Sequence, residues 1–194
     1  MNGSESFYKT VPAVRLIVME NPGAAAALCR ILKESGYRTA CSPDFGEPPA
    51  YLVLPPSRLR EVRGETVPFV LSVEREWPGF RTEKFARCVI DSAFSGDRRS
   101  IPAEKLVTYS AESDSADFTA RNIRKTDEGV VFEIVGVGVI GRVRLADEKQ
   151  IEPCLIAACA AVSCGIPFAD VLGSLNRLFS AKEKVYSETA FGVS

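Results

Sequence analysis

The sequence predicts a three-layer α/β/α domain with a mainly parallel sheet and an antiparallel extension. Two observations lead to this prediction. In the N-terminal part, short apolar runs that suit buried strands alternate with segments of helical periodicity and with Pro/Gly loops. Near Ala116 the pattern changes to alternation of apolar and polar residues, which is typical of antiparallel strands with one solvated face. Strands alternating with helices indicate parallel βαβ units.

The first strand, turn and helix are read from residues 14–40. Residues 14–19 are apolar except for Arg15, which predicts a strand buried on both faces for most of its length. A turn containing Gly23 follows, and Ala24–Ser35 has helical periodicity with Gly36 at the C-cap position. Strand, glycine turn and helix in this order are how a phosphate-binding loop opens an α/β domain.

The middle of the chain is expected to add more strands and one helix. Thr82 is a possible N-cap for a helix that runs through Phe94, because apolar residues recur there at helical spacing. Further short strands are predicted at Tyr37–Cys41, Tyr51–Leu54, Val67–Val73 and Leu106–Ser110, of which Tyr51–Leu54 is a continuous apolar run.

The C-terminal part predicts a meander and two helices. The meander extends from Phe118 to Leu145 and contains a literal G-x-G-x-x-G between Gly136 and Gly141. A strand follows this motif where a dinucleotide site requires a helix, so we interpret it as a hairpin bend. Cys154–Cys164 is apolar on nearly every side and is expected to be a buried helix, and Pro167 suits the start of the last helix.

Length and charge limit the classes of function. We expect one domain over residues 1–194, with 1–11 and 182–194 as loose tails. The 24 Lys and Arg residues nearly balance 25 Asp and Glu residues, so no basic excess predicts a nucleic-acid partner. No apolar run approaches the roughly 20 residues that span a membrane. The first residues lack a hydrophobic signal region, which predicts a cytoplasmic protein.

The content of cysteine and histidine narrows the possible chemistry. The six cysteines show no C-x-x-C pair, so we expect reduced thiols that pack in the core rather than a disulfide framework or a metal site. The chain contains no histidine, which removes the commonest general base and the commonest metal ligand.

Residues 116–178 resemble the central, ATP-binding domain of the Mur ligases. The resemblance rests on ADFTARNIRKTDEGVVFEI and on KQIEPCLIAACAAVSCGIPFADVLGSLNRL, and the order of elements from Val14 onward is also similar. The resemblance implies a P-loop-like fold in a bacterial protein. It also implies an activity that uses ATP and Mg²⁺ to join amino acids to the peptidoglycan precursor through an acyl-phosphate.

The chain departs from that family where the chemistry is done. By the resemblance, the phosphate-loop Lys and its hydroxyl partner fall at Ala24 and Ala25, and the acidic residue that helps to hold Mg²⁺ falls at about Pro55. The histidine-asparagine pair becomes Lys149-Gln150, and the next asparagine becomes Pro153. We therefore predict no catalytic residue, no metal ligand and the loss of ATP and Mg²⁺ binding. The vestigial nucleotide site comprises Asn21, Gly23, Ala24, Ala25, Lys149 and Gln150.

The resulting hypothesis is a non-catalytic homologue of the Mur ligase central domain. It would bind an unidentified protein partner, as an interaction or regulatory module linked to cell-wall precursor metabolism. One alternative is a divergent ATP-dependent acid–amino-acid ligase, or a subunit of one. A second is a small-molecule binder at the switch point of the sheet. The Gly23 turn could also bind an anion through backbone N–H groups or be a plain turn.

Overall fold

A computed structural model of the protein describes residues 13–62, 64–74, 84–94 and 96–179. The helices are α1 (Pro22–Glu34), α2 (Ile151–Ser163) and α3 (Phe168–Phe179), and short 3-10 turns lie at Pro56–Glu61, Arg98–Ser100 and Glu148–Gln150. The strands are β1 (Val14–Val18), β2 (Thr39–Ala40), β3 (Tyr51–Leu54), β4 (Thr66–Val73), β5 (Phe85–Asp91), β6 (Ala103–Ser110), β7 (Phe118–Thr126), β8 (Gly129–Gly136) and β9 (Val139–Leu145).

All of these strands belong to one sheet with the order β2-β3-β1-β4-β5-β6-β7-β8-β9. Neighbouring strands from β2 to β7 pair in parallel, and β8 pairs antiparallel with both β7 and β9. The predicted α/β class, the mainly parallel sheet and the antiparallel extension over residues 118–145 are confirmed. The Gly136–Gly141 motif spans the β8–β9 hairpin, where Gly138 has a φ of +72°, so the hairpin interpretation is also confirmed.

The two faces of the sheet are covered differently. The main core lies between one face and the helices, and it contains buried residues of α1, α2 and α3. The opposite face buries alternate residues of the parallel strands, such as Leu16 and Leu71, against Phe45, Leu59 of the 3-10 turn, and Ile101. In the described part of the chain, the α-helices therefore lie on one face, and the layer on the other face is made of loops and 3-10 turns.

The predicted helix from Thr82 to Phe94 is wrong. Residues 85–91 form β5, a strand between β4 and β6, whereas Thr82 lies outside the described residues. The buried residues Cys88 and Ile90 point to one face of the sheet and Val89 to the other. Apolar residues on both sides are typical of a strand that is buried on both faces. The spacing of the same residues also matches the apolar stripe of a helix, which is why the sequence indicated a helix.

The buried C-terminal helix is confirmed, whereas the expectation for all six cysteines is only partly right. Cys154 and Cys159 in α2 are free thiols without exposure, and burial raises the pKa of both thiols well above the usual range. Cys29 and Cys41, in contrast, are joined in a disulfide. Cys29 lies on the buried side of α1 and Cys41 directly follows β2, so the chain reversal after α1 brings them together.

None of the described helices is both long enough and apolar enough to cross a lipid bilayer.

A group of hydrogen bonds around Glu34 holds the end of α1 to α3. Ser174 Oγ and Arg177 Nη2 each donate to Glu34 Oε2 at 2.6 Å, and Arg30 Nε donates to Oε1 at 2.7 Å. Burial raises the pKa of Glu34, but the hydrogen bonds from Ser174, Arg177 and Arg30 outweigh that effect and lower the pKa to about 2. The charged carboxylate therefore stabilises the packing of α3 on α1.

We expect Glu34→Gln to lower the free energy of unfolding at pH 7 by about 1 kcal/mol, since solvent screens these partly exposed partners. The folded-state pKa lies below that of the unfolded chain, so the contribution is complete above about pH 4.5 and is lost as the pH falls towards 2. Urea unfolding of both proteins at pH 7 and at low pH measures this contribution to the free energy of unfolding. Glu47→Gln, which removes an exposed pair with Arg38, is the control and should change little. Equal losses in both variants would contradict this account.

Candidate functional site

The turn at the carboxyl end of β1 is short and is organised by Asn21. Only Met19, Glu20 and Asn21 separate β1 from α1. Asn21 is the N-cap residue, and its Oδ1 accepts the N–H of Ala24 at 3.0 Å, while its carbonyl accepts the N–H of Ala25 at 2.9 Å. Pro22 at the first helical position has no N–H. The bond to Ala25 is the first ordinary bond of the helix. The Ala24 N–H, which a phosphate site would direct at a ligand, is taken up by the side chain of Asn21.

Ala24 and Ala25 belong to the core. Their exposed fractions are 0% and 5%, and both pack in the main hydrophobic cluster. A lysine at either position would have to leave the core to reach a phosphate, and a buried ammonium without a partner is strongly unfavourable. The alanines lack the charged and hydroxyl groups of a phosphate loop. They also complete the packing of α1 against the sheet.

The first turn of α2 lies against the Gly23 turn. A methyl group in place of a Gly23 hydrogen would lie 3.3 Å from Asn21 Oδ1 and 3.4 Å from Pro153 Cβ. By the resemblance, Pro153 falls at the asparagine that follows the histidine-asparagine pair. The space between the two helix N-termini is thus occupied by an apolar ring.

Lys149 and Gln150 lie on the 3-10 turn that precedes α2. Asp147 Oδ1 accepts the N–H of Lys149 at 2.9 Å, and Gln150 Oε1 accepts the N–H of Asp147 at 3.2 Å, which together form a capping box. The side chain of Gln150 is therefore used in the cap, and Lys149 is exposed. The contact that the structure gives between this region and the Gly23 turn is made by Pro153.

Acidic side chains gather at the carboxyl edge of the central strands. Asp91 at the end of β5 pairs in register with Tyr109 of β6, and Glu74 directly follows β4. Tyr109 Oη donates to Glu152 Oε1 of α2 at 3.4 Å. Burial first, and then the negative charges of Glu152, Asp91 and Glu74, raise the pKa of Tyr109 well above its usual range. Three carboxylates, from β5, from α2 and from the residue after β4, therefore act on the same buried phenol.

A cavity of about 100 Å³ lies between the Gly23 turn and the end of β3. It is mostly apolar, and the Cys29–Cys41 disulfide forms part of its wall. Its lining residues are Met19, Glu20, Pro22, Ala25, Cys29, Cys41, Val53 and Pro55. Pro55 lies where the resembled family has an acidic magnesium ligand, so this end of the crevice offers no such carboxylate from β3.

The residues present do not fit a magnesium nucleotide. Within residues 13–62, 64–74, 84–94 and 96–179, no group of three or more Cys, Asp or Glu side chains is placed to hold a metal ion. Phosphoryl transfer requires cations that neutralise the phosphate oxygens. At the Gly23 turn the chain has buried alanines and the ring of Pro153 instead, and none of these groups is a cation.

The sequence predicted the Gly23 turn but not the carboxylates that lie near Tyr109. The predicted residues Asn21, Gly23, Ala24 and Ala25 do lie in one turn at the carboxyl edge of the sheet. Asp91 was assigned to a helix, which hid its position at the end of a strand beside Tyr109. A correct strand assignment would have placed both at the edge where parallel strands end.

No protein-family model and no curated protein sequence matches this chain, whereas solved structures do match its fold. A structure of UDP-N-acetylmuramoyl-L-alanyl-D-glutamate–2,6-diaminopimelate ligase has a TM-score of 0.68 and 12% identity, and covers 87% of this chain and 46% of that chain. A pseudomurein peptide ligase type C from Methanothermus fervidus has a TM-score of 0.56 and 13% identity, and covers 87% of this chain and 49% of that one.

A third solved structure contains a nucleotide. The MurF ligase from Thermotoga maritima in complex with ADP has a TM-score of 0.53 and 9% identity, and covers 82% of this chain and 48% of that chain. The chain thus has the α/β fold of the Mur ligase central domain and spans less than half of the length of these ligases. At such low identity the likeness shows the fold and not the activity.

Proposed function

We propose that this chain is a non-catalytic homologue of the Mur ligase central domain and acts through contact with a partner protein. The observation that carries the proposal is the Gly23 turn, which is capped by Asn21 and packed against Pro153. The link to cell-wall precursor metabolism, and a bacterial and cytoplasmic setting, rest on the likeness to Mur ligases. The Cys29–Cys41 disulfide argues against the cytoplasmic part of this proposal, because stable disulfides are typical of oxidising compartments.

Electrostatics supports the loss of nucleotide binding. A triphosphate carries several negative charges, and a phosphate-binding loop neutralises them with Lys, Mg²⁺ and backbone N–H groups together. Here the residues that follow Gly23 are the buried Ala24 and Ala25, which supply no cation. A helix N-terminus alone contributes about 0.3–1 kcal/mol at an exposed site, whereas millimolar affinity requires about 4.1 kcal/mol.

The alternative of a divergent ligase is favoured by the fold alone. It requires a partner that supplies both the cation and the metal ligands that are missing around Gly23. The alternative of a small-molecule binder is favoured by the cavity beside Pro55, at the carboxyl ends of β1 and β3. That cavity of about 100 Å³ is well below the roughly 300–1,000 Å³ of ordinary ligand sites.

Titration calorimetry with Mg-ATP, Mg-ADP and a non-hydrolysable ATP analogue tests the proposal. We expect no heat of binding at millimolar ligand, no release of inorganic phosphate and no rise in melting temperature. A functioning site would stabilise the fold by about 2.7 kcal/mol at a hundredfold excess over Kd.

The contrary result is micromolar binding that Gly23→Val abolishes. Ala26→Val is the matched control, since Ala26 lies in the same helix turn but is exposed. Binding that is lost in the first variant and kept in the second would show that the turn still holds a nucleotide, and the proposal would be wrong.

A further inference from the structure

The outward face of the β7–β9 meander carries a cluster of arginines. Alternate residues of β8 and β9 are buried under the helices, and the residues between them point outward. Arg124, Val131 and Arg144 are paired across the three strands, as are Arg121, Glu133 and Arg142. Val135 and Ile140 form the next pair. We call these outward residues of β7, β8 and β9 the arginine face.

A bulge in β7 places both of its arginines on this face. Arg121 and Arg124 are three residues apart, so in a regular strand they would point to opposite sides. The register shifts between them, and Asn122 has a φ of +53°, in the left-handed region. The extra residue turns Arg124 back to the side of Arg121. Bulges often re-aim side chains in this way at functional positions.

The arginine face is exposed and positively charged. The side chain of Arg142 is 67% exposed and that of Arg121 is 46% exposed, and Ile140 is 63% exposed. Glu133 pairs with Arg142, and Asp114 pairs with Arg121. Arg124 and Arg144 make no salt bridge with another residue in the described part of the chain. Among the described residues, this face thus carries four arginines against the carboxylates of Glu133 and Asp114.

We propose that the arginine face binds an acidic segment of a partner protein in which carboxylates flank aliphatic side chains; this inference rests on the proposed role as an interaction module. Arginine is enriched at protein interfaces, and here it lies beside the exposed aliphatic side chain of Ile140. The outward residues of β8 and β9 include no aromatic side chain, which base stacking on single-stranded nucleic acid would need.

The partner contacts the face and does not extend the sheet. Asn176 of α3 closes the outer edge of β9, since its Oδ1 accepts the N–H of Arg144 at 3.0 Å and its Nδ2 donates to the carbonyl of Arg142 at 2.9 Å. Strand addition at this edge is therefore blocked there. Three strands about 4.8 Å apart and about 20 Å long offer the area of a single polypeptide segment rather than of a whole domain.

A labelled peptide tests the proposal by fluorescence anisotropy on the full chain at physiological ionic strength. The probe is an amphipathic helical peptide of about 18 residues, with Leu at i, i+3 and i+4 spacing and Glu between them. A scrambled peptide of the same composition and a single-stranded DNA of similar charge are the comparison ligands. We expect micromolar binding of the amphipathic peptide and at least tenfold weaker binding of both others.

Two double variants, each replacing two arginines by glutamates, test which surface binds the peptide. Arg124→Glu with Arg144→Glu should weaken peptide binding at least tenfold. Arg98→Glu with Arg99→Glu, on an exposed 3-10 turn elsewhere, should weaken it less than twofold. Equal effects of the two pairs, no binding at all, or tighter binding of DNA would overturn the inference. So would a dimer that the first pair dissociates, because a second copy would then be the occupant. If calorimetry showed nucleotide binding while the peptide still bound, the proposed function would be wrong, but the assignment of the arginine face as a peptide-binding surface would remain.

Discussion

Gly129→Ala is expected to destabilise the protein by about 3–5 kcal/mol, which is a large part of the stability of an ordinary domain. Gly129 begins β8 at the tight turn after β7 and has a φ of +130°, a conformation that L side chains rarely adopt. A methyl group there would collide with the carbonyl oxygen of Leu145 and lie 3.0 Å from Ala146 Cα. Both are backbone atoms, which cannot move aside without displacing β9.

Gly138→Ala is the matched control for that result. Gly138 lies in the β8–β9 hairpin with a φ of +72°, but no atom lies within 4 Å of the position that a methyl group would take. Its substitution should cost only the left-handed conformation, about 1–2 kcal/mol. Urea unfolding of both variants at neutral pH measures the difference. If the two losses were the same, the close approach of Leu145 to Gly129 would not be a determinant of the extension.

Reduction of the Cys29–Cys41 disulfide is expected to lower the melting temperature by about 5–10 °C. The bond joins residues 12 apart in sequence, and closing a loop of about this length stabilises a fold by up to about 3 kcal/mol through the entropy of the unfolded chain. In a domain of this size each kcal/mol shifts the melting temperature by about 2–4 °C. Melting with and without dithiothreitol measures the shift.

Thiol counting provides the control for the disulfide. Denatured but unreduced protein should titrate four thiols, those of Cys88, Cys154, Cys159 and Cys164, and reduction should raise the number by two. The double variant Cys29→Ala with Cys41→Ala should melt at a temperature that dithiothreitol no longer changes. Six thiols before reduction would mean that the pair is not bonded and that the original expectation of free core cysteines is right.

Part of the candidate site was readable from residues alone. The identities of Ala24 and Ala25 after Gly23 already indicate a turn without a phosphate-binding cation, because no neighbour in sequence replaces it. The contact between Gly23 and Pro153 could not be read in this way, since it joins two helices that are far apart along the chain. The same holds for the carboxylates around Tyr109, which come from separate strands and from α2.

The sequence by itself determined the α/β class, the bounds of β3, the antiparallel extension and the burial of α2. These features follow from local periodicity and from glycines at turns, which neighbouring residues express directly. Only the tertiary structure decided that residues 85–91 are a strand, that Cys29 meets Cys41, and that Arg124 shares a face with Arg144. Residues 85–91 form a strand because they are buried between β4 and β6, and that burial outweighs the local helical pattern. The chain reversal after α1 brings Cys41 to Cys29, and the bulge in β7 turns Arg124 to the side of Arg144.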